Sequence, residues 1–583
     1  MKVSNFDYCR LLARYLWPQR AKVLWLAVAL LGSIALQLVG PQLFRAFIDT
    51  ALEGGALSVL ARIAGLYLAI GVVNQLSSAV ATYLGADVGW TSTNTMREEL
   101  SSHCLGLDMT FHNERTPGEL IERIDGDVTN LSNFLSQFLI QILGSVLLTV
   151  GVLILLFLEN VWVGAALTAF TVVAVLCLVR ARHMAVPAFI AQREAASQFF
   201  GFAEEKMAAL DDIRGNGGGG YAMDRFFRTN HTFFHTSRKA WMLRSLLFYI
   251  LMLMFAVADV VAIGMGVYLH QAGAITIGTV FLFFTYTEML RNPISRITMQ
   301  LQDLQNAGAS MSRIHDLFSV QSALSRVGHE MLERGPLDVQ FDNVIFGYGN
   351  GEPVLHGVDF TIAPGRVLGL LGRTGSGKTT ITRLIFRLYD TREGTVRLGG
   401  QDVRALELED LREHVGLVTQ DVQLFDASVR NNITFFNTEV SDDRLLEVIG
   451  ELGLAEWIER LPEGLDTLIG SGGKGLSAGE AQLLAFIRVF LKDPGLVILD
   501  EPSSRLDPGT ERLLQVAWGR LLHDRTGIII AHRLATLRET DEILLLDDGR
   551  IIERGDREAL ARDPTSRFAA LLRAAQGTED LLS

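Results

Sequence analysis

Residues Gly372-Arg373-Thr374-Gly375-Ser376-Gly377-Lys378-Thr379 match G-x-x-x-x-G-K-[ST] at every fixed position. The chemistry of that spacing is phosphate binding. Glycines let the backbone curl until its N–H groups point at a β-phosphate. Lys378 then reaches the β- and γ-phosphates, and the Thr379 hydroxyl, with Thr380 beside it, lies where Mg²⁺ would be ligated. An apolar strand at 367–371 precedes the loop, and a helix from about 379 to 388 follows it and adds its positive N-terminal end. That context separates the loop from an ordinary glycine-rich turn. A second apolar strand at 496–499 delivers Asp500 and Glu501. The first carboxylate suits Mg²⁺ through its water shell; the second suits the water that attacks the γ-phosphate. Paired acids often belong to a solvated face, but the aliphatic run before them favours a buried strand end.

The elements that must position these groups begin after a linker of mixed polarity at 320–336. From there, short apolar strands alternate with amphipathic helices, the pattern of a mainly parallel sheet covered by helices. The half before the linker is different. Six apolar stretches, at 23–43, 60–83, 134–158, 161–179, 246–269 and 277–297, are long enough to span a bilayer as helices, which takes roughly 20 residues each. Arginines crowd the N-terminal flank and the long segments around 90–130 and 180–242, whereas the connections near Glu159 and at 270–274 carry none. By the positive-inside tendency, the N-terminus and the long segments face the cytoplasm.

Bulk properties agree with a membrane protein carrying a cytosolic domain. Of 583 residues, 49% are hydrophobic and 20% charged. The net charge of −13 argues against nucleic acid as a partner. Cys9, Cys104 and Cys177 lie far apart, without metal-ligand spacing, and suit a reducing cytosol. The basic N-terminal flank leads into an apolar run too long for a cleavable signal.

Between the phosphate loop and the acids stands Leu476-Ser477-Ala478-Gly479-Glu480. It resembles the LSGGQ signature of ABC ATPases with two substitutions, Ala478 and Glu480. Tyr348, in Phe346-Gly347-Tyr348, resembles the aromatic residue that stacks on adenine. Gln420 resembles the Q-loop glutamine that touches Mg²⁺, Ser504-Arg505-Leu506-Asp507 the D-loop, and His532 the switch histidine at the γ-phosphate. These elements follow the family's order, and the resemblance to the ABC transporter superfamily covers essentially the whole chain. It implies an all-α six-helix transmembrane domain with long cytoplasmic helical extensions (1–319), the linker (320–336), an α/β P-loop ATPase domain (337–575) and a short tail (576–583). It also implies ATP and Mg²⁺ as cofactors, with Lys378, Glu501 and His532 catalytic. Residues 372–380, Tyr348 and Gln420 would hold this chain's nucleotide. Ser477, Gly479 and Glu480 would contact the nucleotide of a second half-transporter subunit, because two such domains face head to tail. Thr379, Gln420 and Asp500 are the expected metal-side residues.

Phe111-His112-Asn113-Glu114-Arg115-Thr116-Pro117-Gly118-Glu119-Leu120, followed by Arg123 and Asp127, resembles the first cytoplasmic loop of ABC exporters, with its coupling helix near 111–127. Asp212-Ile213-Arg214-Gly215, with the glycines through Gly220, stands where a second coupling loop near 211–224 belongs; the alternative is a flexible surface turn. Asp259 and Glu288 fall inside spans and are expected to meet a cationic or polar cargo or, as the alternative, a neighbouring helix, or for Glu288 the cytoplasmic cavity beside Arg291. The signature departs from the family, and Ser471 stands where exporters usually carry a glutamate. An extra carboxylate near triphosphate is electrostatically costly, which favours the altered half of a heterodimer with asymmetric sites. A homodimer tolerating LSAGE is the alternative, since Ser477 and the Gly479 backbone remain. The expected activity is ATP-driven export of a hydrophobic, amphiphilic or peptide-like solute across a prokaryotic plasma membrane. Import on the same fold and an ATP-gated channel are the alternatives.

Overall fold

The computed structural model describes residues 13–324, 328–349, 351–470, 475–500, 508–531 and 534–579. The chain divides into two compact units, one comprising Met1–Leu105 and Pro117–Val320, the other Gly106–Thr116 and Gln321–Ser583. Each is built by different physics.

The first unit is helical because a backbone in hydrocarbon has to satisfy its own polar groups. Its long helices are Arg20–Leu52, Leu57–Leu105, Gly144–Glu159, Val161–Ala208, Gly219–Gln271 and Ile277–Ser319, with a π-helical stretch, Phe134–Leu143, running into the third. At 1.5 Å per residue, the 49-residue second helix and the 53-residue fifth are about 74 and 80 Å long, more than twice the thickness of a bilayer core. The apolar stretches read from sequence are therefore segments of longer rods. Among the described residues, five helical stretches are long and apolar enough to cross a membrane: Ala13–Leu52, Leu57–Leu105, Gln141–Glu159, Val161–Ala208 and Gly219–Gln271. The sixth expected span, 277–297, falls short of that composition: its helix carries Glu288, Arg291 and several hydroxyl residues in the same turns. Side chains cap the entries. Asn160 accepts from the N–H groups of Trp162 and Val163, and Thr276 from that of Thr279.

Val152, Leu156, Leu167, Phe255, Phe283 and Tyr286 form the buried core of this unit. Two polar contacts cross it: Tyr286 Oη donates to the Leu38 carbonyl at 3.0 Å, and Arg45 holds Glu159 at 2.7 Å. Asp127, 2% exposed, accepts from Ser310 Oγ at 2.8 Å and from both Nε and a terminal nitrogen of Arg313. The expected second coupling segment is an ordered turn. Helix Leu210–Gly215 ends with Gly217 at φ +69°, Gly217 N–H donating to Arg214 and Gly218 N–H to Ile213. This is the hydrogen-bond pattern of a Schellman cap, which needs glycine at the left-handed position.

The second unit is α/β. Its strands are β1 (Val339–Phe346), β2 (Leu355–Ile362), β3 (Val367–Gly372), β4 (Glu393–Leu398), β5 (Gln401–Asp402), β6 (Val415–Val418), β7 (Ala427–Ser428), β8 (Leu468–Ile469), β9 (Leu496–Asp500), β10 (Thr526–Ile530), β11 (Glu542–Asp547) and β12 (Arg550–Asp556). The main sheet has order β12-β11-β3-β10-β9-β6 and is parallel except for β12. A second sheet, β2-β1-β4-β5, is antiparallel. Alternation splits the main sheet between two cores: Val497, Leu499, Ile529 and Leu545 enter one, and Ile498, Ile528, Ile530 and Leu546 the other. Burial on both faces explains why these strands read as unbroken apolar runs. Part of the expected linker belongs to this core: Leu332 is buried, and its N–H donates to Asp410 at 2.7 Å.

Gly106–Thr116 is far from the rest of this unit in sequence yet packs as part of it. Its helix Met109–Glu114 starts at Asp108, whose Oδ1 accepts from the N–H groups of Thr110 and Phe111 at 2.9 and 3.2 Å. Asp108 Oδ2 accepts from the Ala323 N–H at 2.6 Å and Ser322 Oγ at 3.3 Å. Met109 packs against the core, and Asn113 Nδ2 donates to the Tyr389 hydroxyl. Burial raises the Asp108 carboxyl, but the N–H groups of Ala323, Phe111 and Thr110 outweigh it and hold it below the usual carboxylate range. Asp108→Ala should therefore cost about 1–3 kcal/mol, read by chemical denaturation. The sign for pH follows from the lowered value. This carboxylate's contribution is full above its ordinary value of 3.8 and disappears as pH falls through the depressed one. An unchanged acid-unfolding midpoint in Asp108→Asn would contradict that assignment.

Candidate functional site

The phosphate loop leaves the C-terminal end of β3 and closes into helix Lys378–Ile385. Its backbone requires glycine. Gly375 and Gly377 sit at φ +85° and +106°, and a Cβ on Gly377 would lie 2.6 Å from Leu355 Cδ2. Lys378 is buried, and its Nζ donates to the carbonyls of Gly372 at 2.7 Å and Arg373 at 3.1 Å, so the ammonium lies across the loop. Arg373, Thr374, Gly375 and Thr379 are exposed. Ser376 is 3% exposed, and its hydroxyl is buried without a hydrogen-bond partner. A curled backbone, a buried lysine and an orphaned hydroxyl fit a bound polyphosphate.

Strand register brings other candidates to the same sheet edge. Ile530 of β10 is level with Leu370 of β3 on one side and Asp500 of β9 on the other. Asp500 therefore stands two strands from the loop's origin, about 9.6 Å at the usual inter-strand spacing. Gln420 is exposed two residues beyond β6, which pairs with β9 through Val418 and Leu499. Carboxyl ends of parallel strands are where open α/β sheets bind ligands. Glu501 and His532 follow β9 and β10 in sequence; they lie outside the described residues, as do Ser471 and the stretch 504–507.

Tyr348 is half-buried beside the loop. Its hydroxyl is 3.0 Å from Thr380 Oγ1 and 3.1 Å from Arg383 Nη1, whose guanidinium also lies over the tyrosine ring at 5.7 Å. Thr380 is thus engaged with Tyr348, at 4% exposure.

Leu476-Ser477-Ala478-Gly479-Glu480 begins a different helix, Ala478–Lys492. Ser477 Oγ accepts from the Glu480 N–H at 3.3 Å, and Glu480 Oε2 accepts from the Ser477 N–H at 2.8 Å. This reciprocal pair is a capping box, a motif in which glutamate and glutamine serve alike. Glu480 Oε1 also accepts from the Trp457 indole at 3.1 Å. The carboxylate faces its own helix start and the adjoining helix Ala455–Glu459. Both of its oxygens are thereby engaged by donors of this chain. Ala478 remains exposed. Further along, Arg488 donates to the Gln423 carbonyl at 3.1 Å and to Asn432 Oδ1 at 3.1 Å, tying the signature helix to the segment after Gln420. Burial lowers that guanidinium to about 10.

In the membrane unit, Asp259 and Glu288 both reach Arg291: one carboxylate lies 3.6 Å from its terminal nitrogen, and the other is hydrogen-bonded to it. The guanidinium also lies over Phe255 at 5.4 Å. The three charges join helix Gly219–Gln271 to helix Ile277–Ser319. Sequence reasoning missed Asp108, Tyr389, Trp457 and Arg488. Only Asp108, at a helix-capping position before Met109, leaves a local trace; the others act through long-range contacts.

Residues 23–294 match the ABC transporter transmembrane region and residues 355–504 the ABC transporter ATPase domain. The ATP-dependent lipid A-core flippase of Shewanella denitrificans is 31% identical over 509 residues, covering 85% of this chain and 82% of the flippase. The fatty acid ABC transporter ATP-binding/permease protein of Mycobacterium bovis is also 31% identical over 509 residues, covering 84% of this chain and 80% of that protein. Among solved structures, a bacterial Atm1-family ABC exporter with ATP bound aligns at a TM-score of 0.80 and 26% identity, covering 95% of this chain and 98% of the other. Two family regions in their expected order, relatives alike along most of their length and a shared fold establish that the chain belongs to the ABC transporter family, as an exporter-type ATP-dependent transporter.

Proposed function

We propose that the chain is one half of a dimeric exporter of hydrophobic or amphiphilic solutes, embedded in a prokaryotic plasma membrane with its ATPase domain in the cytoplasm. One observation carries the reading. Gly106–Thr116, the direct continuation of membrane helix Leu57–Leu105, packs with the unit that bears the phosphate loop. Movement of the ATPase unit is thereby imposed on a membrane helix through the chain itself. The relatives' names, a lipid A-core flippase and a fatty acid transporter, favour amphiphilic cargo.

In this reading residues 372–380 bind the triphosphate, with Lys378 neutralising charge and Tyr348 beside the base. Thr379, Gln420 and Asp500 would hold Mg²⁺, which neutralises charge on the phosphates when bound. Glu501 takes the proton of the attacking water and so acts ionised, while His532 contacts the γ-phosphate side. Glu501→Gln should lower ATP hydrolysis by about 100-fold or more and abolish transport while leaving ATP binding intact. Normal transport by that variant would end the pumping reading.

For the partner we propose a non-identical half-transporter. With Glu480 committed to its capping box, the reading rests on Ala478, whose exposed methyl replaces a glycine on the face offered to the other subunit's nucleotide. Co-expression of two differently tagged copies should give no mixed pair; recovery of one would establish the homodimer. The role of Glu480 has its own check in unfolding free energy. Glu480→Gln should stay within about 0.5 kcal/mol of the parent, and Glu480→Ala should lose about 1 kcal/mol. Equal losses would refute the capping role.

A further inference from the structure

We propose that a cavity of about 960 Å³ between helices Val161–Ala208 and Gly219–Gln271 binds an amphiphile with an anionic head group, a phosphate or a carboxylate. The cavity lies wholly within the membrane unit and is lined by Arg182, Arg193 and Arg244, with no aspartate or glutamate among the described residues of its lining. Its volume is at the upper end of the range for small-molecule sites, about 300–1,000 Å³.

On both helices the arginines lie to the same side of the lining leucines, interspersed with Phe189, Ala196 and Trp241. On Val161–Ala208, Leu178 gives way to Arg182 and, three helical turns further, to Arg193. On Gly219–Gln271, read towards the N-terminus, Leu251 gives way to Arg244. The apolar end thus adjoins the membrane-spanning parts, and the arginines begin where those parts stop. Arg244 lies over the Phe189 ring at 5.6 Å, which holds its planar fork while leaving the fork's edge to donate. Arginines that merely anchor a helix at the bilayer surface snorkel outward singly; these three line one cavity. A guanidinium matches phosphate and carboxylate geometry alike, in two parallel hydrogen bonds.

This inference deepens the exporter reading and rests on it only for calling the ligand cargo. The test is scintillation-proximity binding of tritiated oleate to the full-length protein in neutral detergent, without ATP. Competitors are lysophosphatidate, oleyl alcohol and oleylamine. Oleate and lysophosphatidate should compete at least about tenfold better than the alcohol and the amine, a difference of about 1.4 kcal/mol. The stronger of the two anions identifies the head group. The double variant Arg182→Gln/Arg244→Gln should lose about tenfold in affinity. The double variant Arg182→Lys/Arg244→Lys, keeping the charge but losing the bidentate fork, should lose less affinity than the glutamine pair while still binding more weakly than the parent. Should the glutamine pair fail to fold, Arg193→Gln, at an exposed position, should still lose about threefold. Equal competition by oleyl alcohol, or unchanged oleate affinity in folded glutamine variants, would overturn the proposal. A protein that binds as expected but hydrolyses no ATP would sink the exporter reading and leave this one standing.

Discussion

Asp108 holds together two parts of the chain that are otherwise distant. Its carboxylate receives the first N–H groups of one short helix and, on the other oxygen, the backbone at Ala323, where the chain re-enters the ATPase unit. Four hydrogen bonds accepted by one partly desolvated anion exceed what a neutral side chain of that size can accept. The chain leaves its membrane unit after Leu105 and again after Val320, and both exits are fastened at this one residue.

Much of this organisation was readable in the amino-acid order. The phosphate loop, the strands at 367–371 and 496–499 and the long apolar stretches are local patterns, and local patterns follow from backbone geometry and burial. What stayed hidden depends on contacts between remote residues. Nothing near Arg291 announces that Asp259, on another helix, will approach it. Tyr389 gives no sign that Asn113 will find it. The helical extensions were expected from the family resemblance and not from hydropathy, because the parts beyond the membrane lose their apolar character without losing helical hydrogen bonding. A hydropathy reading sees only the segment in lipid.

Glu480 shows how a substitution read on its own can mislead. Viewed as a charge, it belongs near the nucleotide and looks hostile to it. Viewed in place, it is the third residue of a helix, where a carboxylate is favoured by the helix dipole and by two donors, Ser477 N–H and Trp457 Nε1. A methyl group on the neighbouring alanine is the smaller chemical change, yet it is the one left facing outward. Orientation decides which of two adjacent differences reaches another molecule.

Helix Leu57–Leu105 is a single uninterrupted rod of 49 residues with no proline in it, whereas Arg20–Leu52, Val161–Ala208 and Ile277–Ser319 each contain one. Without a hinge, a rod about 74 Å long works as a lever. Tilting it by about 5° displaces its far end by about 6 Å, roughly the pitch of one helical turn. A rearrangement small enough to preserve the packing around Phe111 would therefore arrive at the opposite face of the membrane magnified, and the gain is set by nothing more specific than length.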